Sequence, residues 1–149
     1  MTTPKTWILI ADGGRARVLE TIGIGHPLTP IDGMVFAKDL PPSRELGSDK
    51  PARTHESMGH ARHAVGEKTD LHRELKRSFA HEIAARLEAG LASGLFSRLV
   101  IVAPPVTLGD LRDAMSKDLS KHVAAEVAKD LVKVPNGEIR SHLEDVVAL

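Results

Sequence analysis

The stretch Trp7-Ile8-Leu9-Ile10-Ala11-Asp12-Gly13-Gly14-Arg15-Ala16-Arg17-Val18-Leu19-Glu20 decides how the rest of the chain is read. Its first five residues are an unbroken apolar run, as in a central strand covered on both faces. Asp12-Gly13-Gly14 is a turn signal, because Asp and Gly tolerate the positive φ of tight hairpin turns. Residues 16–21 then read as a second strand, with Arg15 and Arg17 on its exposed face, and the chain opens on an antiparallel hairpin. An acid closing a first strand has another reading, the metal-holding carboxylate of a nuclease. Two-metal catalysis needs several carboxylates converging on ions ~4 Å apart. Glu74 or Glu82, with Asp110 or Asp130, would have to supply them, and the later strand at residues 98–103 ends on Pro104-Pro105 without an acid. The hairpin corner is the favoured reading of Asp12.

Beyond the hairpin, residues 23–33, with Pro27 and Pro30, break the pattern, and Met34 to Ala37 reads as a short third strand. Residues 41–68 carry three prolines, three glycines and no apolar periodicity, and are expected to be a long loop. From Thr69 the register changes: Leu71, Leu75, Phe79, Ile83 and Leu87 recur every fourth residue, the stripe of an amphipathic helix. Thr69 or Asp70 would cap it, Gly90 and Gly94 would end it, and Glu82 to Arg86 has helix-supporting spacing. Residues 98–103 form the clearest strand. A short helix follows through Leu111 and Met115, with Thr107 and Asp110 as its capping pair. Residues 122–128 read as a strand, and Pro135-Asn136 opens a last helix carrying Ile139, Leu143 and Val146.

One domain spanning 1–149 is expected at this length. The order is strand, strand, strand, long loop, helix, strand, helix, strand, helix. It implies an α/β fold with a mixed five-stranded sheet, an opening hairpin and flanking helices. By topology this order is similar to that of ribonuclease H-like domains.

Composition narrows the functions. Lys+Arg and Asp+Glu are both 20, so no global field draws polyanions. There is no cysteine, which excludes disulfides, thiol catalysis and Cys-based zinc sites. One Trp, three Phe and no Tyr are too few for a base-stacking surface. The N-terminal residues do not read as a signal peptide and no run suits a membrane span, so a cytoplasmic location with no membrane partner is expected.

ILIADGGRARVLE, then SDKPARTHESMGHARHA ahead of a long helix, then RLVIVAPPVTLGDLRDAMS, then a short strand and KVPNGEIRSHL together resemble the bacterial host attachment protein family over nearly the whole chain. More distantly the arrangement is similar to the middle domain of archaeo-eukaryotic peptide-chain release factors and of Pelota. That resemblance implies a ribonuclease H-like domain whose long loop precedes the main helix. In release factors this loop carries Gly-Gly-Gln. Here it has Gly47, Gly59 and Gly66, and the chain contains no glutamine. The resemblance therefore implies a docking surface without peptidyl-tRNA hydrolysis, a non-enzymatic role, and no cofactor.

The loop and helix start carry the candidate binding residues. Arg44, Lys50, Arg53, Arg62, Arg73 and Arg77 would line one rim and contact RNA phosphates, which position a protein without reading sequence. Glu45, Asp49, Glu56 and Glu67 neutralise part of that charge. His55, His60, His63 and His72 lack the companions of a zinc site, and no metal is assigned to them. The expected partners are the ribosome or transfer RNA, with no DNA. The alternatives are a protein-interaction module acting indirectly on attachment, with strand 34–37 pairing between copies, and a nuclease using Asp12.

Overall fold

The computed structural model describes residues 5–39 and 58–149, with side chains in the second stretch from Leu71 onward. The elements are β1 (Thr6–Ala11), β2 (Arg15–Thr21), β3 (Thr29–Ala37), α1 (Met58–Ala92), β4 (Arg98–Val102), α2 (Pro105–Ala114), α3 (Lys117–Lys121), β5 (Val123–Val127) and α4 (Asn136–Leu143). The sheet is five-stranded and mixed, in the order β3-β2-β1-β4-β5. β1 pairs antiparallel with β2 and parallel with β4, and β4 pairs parallel with β5. The α/β architecture with its opening hairpin agrees with the sequence reading.

The unbroken apolar runs sit at the centre because both sheet faces are covered. Alternate residues point to opposite faces. Trp7, Leu9, Ala11, Leu99, Ile101 and Ala103 join Phe79, Ile83 and Leu87 of α1 and Leu108, Leu111 and Leu119 of α2 and α3. Ile8, Ile10, Val100 and Val102 face Leu131, Ile139, Leu143, Val147 and Leu149. Val146, expected on the last helix, lies beyond α4 and is exposed, because the chain turns after Leu143 and buries Val147 instead.

Helix α1 differs most from the sequence reading. It begins at Met58, so residues 58–68 are helical backbone rather than loop, and residues 41–57 lie outside the described residues. Periodicity marks only the part of a helix that packs. Here the first buried side chain from Leu71 onward is Phe79; Leu71 is half exposed and Leu75 partly buried. Ahead of that point Ala61, Arg62, Ala64, Glu67 and Lys68 favour helix by propensity and leave no apolar stripe to read.

Its C-terminus follows a sequence signal. Gly94 has φ +71°, its N–H donates to the Leu91 carbonyl, and the Leu95 N–H donates to that of Gly90. This is a Schellman stop, and the left-handed residue is glycine because a Cβ is disfavoured there. The expected Glu82–Arg86 pair is replaced by contacts to β3 and to Lys38 just after it. Glu82 accepts from Lys38 Nζ at 2.7 Å, while Arg86 donates to the Gly33 carbonyl and lies 5.3 Å above the Phe36 ring.

Arg17 is also not the exposed residue expected of a second strand. Its Nε donates to Asn136 Oδ1 at 2.7 Å, and its two terminal nitrogens donate to the Val132 and Val134 carbonyls. β3 is longer than expected and contains Pro30, which an edge strand tolerates. Among the described residues no helix is long and apolar enough to cross a membrane.

Candidate functional site

β1 and β4 are parallel neighbours, so their carboxyl ends open on the same edge of the sheet. After β1 the chain turns back into the hairpin; after β4 it leaves through α2 towards β5 on the other side. In open α/β sheets such a divergence leaves a crevice where ligands bind. A cleft of about 630 Å³ lies there. Arg15, Lys38, His72 and Lys76 line it, with Asp12 and Asp39, and Val106 and Thr107 of α2 on the opposite wall.

The Asp12 corner is built by its own side chain. Oδ1 accepts the N–H groups of Gly14 at 2.8 Å and Arg15 at 2.7 Å, and the Asp12 N–H donates to the Arg15 carbonyl. Neither Gly13 nor Gly14 adopts positive φ, contrary to the expectation from turn chemistry. Gly13 answers a different demand: a Cβ there would lie 3.0 Å from Cδ and Cε of Lys76, so the lysine stem packs over the turn. The Gly14 carbonyl accepts the Lys38 N–H at 2.7 Å, which brings the end of β3 to the same rim.

The α2 wall starts without a cap. Pro104 is the N-cap and contributes no side-chain acceptor, Pro105 has no N–H, and the first turn holds no acid. The expected Thr107–Asp110 capping pair does not form, since both residues lie inside the helix. Instead Asp110 receives Arg73 in a two-pronged ion pair at 2.8 and 3.2 Å, which ties α1 to α2. That bond raises the Arg73 pKa. Thr107 is 8% exposed. Partial burial, then the charges of Lys76 and Arg73, push the His72 imidazole below its ordinary value.

Of the six expected RNA-contacting residues, Arg44, Lys50 and Arg53 lie outside the described residues. Arg62 lies on the α1 backbone, its side chain outside the described set. Arg73 is held by Asp110, and Arg77 pairs with Glu74 at 3.1 Å on the exposed face of α1. His55 is likewise outside the described residues, and His72 belongs to the cleft. Among the described residues no three His, Asp or Glu groups gather as a metal ion requires. Sequence reasoning misses Lys38, Lys76 and the α2 start as residues that line the cleft. The usable signal is positional: Ala-Asp-Gly-Gly and Ala-Pro-Pro each close a strand, and parallel pairing puts both closures on one edge.

The family described as "Protein required for attachment to host cells" matches residues 7–143, from the second residue of β1 to the end of α4. The chain belongs to that family. No curated protein matches it. In this host attachment family protein, the matched span contains every described segment that lines the cleft.

Proposed function

We propose that this host attachment family protein is a cytoplasmic, ribonuclease H-like and release-factor-like module that contacts ribosomal or transfer RNA without catalysing a reaction on it. The observation that carries the reading is the convergence of Arg15, Lys38, His72 and Lys76 on one cleft at the sheet edge. The basic residues Arg44, Lys50, Arg53, Arg62 and Arg77 would extend that contact along α1 and the segment before it, whereas Arg73 is engaged with Asp110. Such contacts neutralise backbone phosphates and place the protein without reading sequence. The chain's zero formal charge makes a local patch the route to RNA. Any effect on attachment to a host then follows from an action on translation.

The test is co-sedimentation with bacterial ribosomes across a salt series, comparing wild type with Arg15→Ala/Lys76→Ala. Wild type should pellet at low salt, and the double variant should bind more weakly with a shallower dependence, by roughly 0.7 in slope for each phosphate of single-stranded RNA that is no longer neutralised. Wild type that stays in the supernatant at every salt concentration would sink the reading.

A protein-interaction module is the second reading. It is favoured by Val35, which is 72% exposed on the edge strand β3. An unpaired strand edge can join a second copy. It predicts a dimer in light scattering that Val35→Lys dissociates.

A further inference from the structure

We infer that the cleft is a phosphate-monoester site, in which the Val106 and Thr107 amides and the Thr107 hydroxyl bind phosphoryl oxygens while Lys76 and Arg15 face the charge. The inference rests on the RNA-contact reading and names a terminal phosphate of the strand as the group held.

Three observations converge. First, α2 spans ten residues and starts uncapped, and among the described residues the Val106 and Thr107 N–H groups have no acceptor. Free amides at a helix start favour an anion. Second, Thr107 is more than nine-tenths buried, and its hydroxyl donates no hydrogen bond among the described residues. No buried side-chain oxygen is left both sealed and unpartnered among those residues, so this hydroxyl is accessible, and Thr107 is one of the residues that line the cleft. Third, Lys76 and Arg15 line the cleft with no carboxylate partner among the described residues, whereas Lys38 is held by Glu82.

Asp12 and Asp39 also line the cleft; Asp12 spends Oδ1 on two amides of its own turn, and Asp39 is a carboxylate that a bound anion has to avoid. Burial first, and then the charges of Lys76 and Arg73, depress the pKa of His72 in the same cleft. A monoester offers three terminal oxygens and up to two charges, a diester only two oxygens and one charge. Two amides, a hydroxyl and two cations match the former. The cleft volume of about 630 Å³ leaves room for the attached nucleoside.

The test uses short RNA strands labelled at the 3′ end, carrying either a 5′-phosphate or a 5′-hydroxyl, with affinity read by anisotropy. Inorganic phosphate is titrated separately while the Val106 and Thr107 amides are followed by NMR. Wild type should bind the phosphorylated strand ~10-fold more tightly, as expected for hydrogen bonds to a charged group. Thr107→Val and Lys76→Met, with unchanged melting temperatures, should each remove most of that difference. Phosphate should shift both amides. Equal affinity for the two strands with no amide shift overturns the site and leaves RNA contact standing. Amide shifts without binding of either strand keep the site for a small phosphate compound and sink RNA contact. Silence in both assays sinks both.

Discussion

Gly90 lies against the indole of Trp7 so closely that a Cβ at Gly90 would stand 2.7 Å from Cη2 and 2.8 Å from Cζ3. The ring cannot easily move away. It stacks on Phe96 with centroids 4.5 Å apart, and its Nε1 donates to Glu20 at 3.0 Å. This contact sets the distance between α1 and the sheet. Gly90→Ala is therefore expected to destabilise the protein by about 2 kcal/mol in urea unfolding, although Ala is favoured over Gly inside helices by about 1 kcal/mol. Unchanged or increased stability would refute the contact.

The corner at Asp12 gives a second outcome. Its Oδ1 holds two turn amides, which an asparagine amide oxygen can also do. Asp12→Asn should change stability by less than about 0.5 kcal/mol, and Asp12→Ala should lower it by about 1–2 kcal/mol, as removal of a capping acceptor does. A large cost from Asn would point to a need for the charge itself.

Arg17 serves three acceptors in the segment 132–136. Burial lowers its pKa, yet a guanidinium stays charged. Arg17→Met should cost about 3 kcal/mol because two carbonyls and an amide are left without their donor. Arg17→Lys should recover less than half of that, since an ammonium lacks the planar fork. Thermal unfolding of the two variants decides the point.

Arg73 and Asp110 should be coupled energetically. The Asp110 side chain is only 10% exposed and that of Arg73 31%, so the pair is less screened than a surface bridge. A double-mutant cycle to alanine is expected to give about 1–2 kcal/mol, against about 0.5 kcal/mol for the exposed Arg77–Glu74 pair.

His72 contributes a pH dependence of known sign. Its folded-state pKa lies below the ordinary 6.5, so the unfolded chain binds more protons in the window between the two values. The contribution of His72 to stability is present above pH 6.5 and is lost as pH falls through the folded pKa. An NMR titration should place its midpoint under 6.5, and Lys76→Met should move it upward. A midpoint above 6.5 would contradict the partial burial and the positive neighbours of the imidazole.

The hairpin and the other elements built on apolar runs are legible because burial on a sheet or helix face leaves a period in the sequence; α3 is not, because a five-residue helix that buries only Leu119 leaves no period. Ile8 and Trp7, on opposite faces, produce the unbroken run; Phe79, Ile83 and Leu87 produce the stripe. The first half of α1 is not legible, because residues such as Arg62 and Lys68 form helix by propensity without an apolar period. Arg17 misleads because a guanidinium that satisfies carbonyls from a distant segment looks, in sequence, like any polar residue on an exposed strand face. The cleft is legible only in part. Asp12 stands out, but Lys76 and Thr107 gain meaning from a pairing of β1 with β4 that no local pattern announces.

That pairing sets Thr6 beside Arg98, across most of the chain. The cleft draws on the stretches 12–15, 38–39, 72–76 and 104–107, and none of them holds it alone. Its formation is thus one event with global folding, and closing so distant a pair is the slow kind of step. Whatever occupies the cleft acts as a folding ligand: it should raise the melting temperature in proportion to the logarithm of its concentration. A thermal-shift screen would then report occupancy before any biological partner is known.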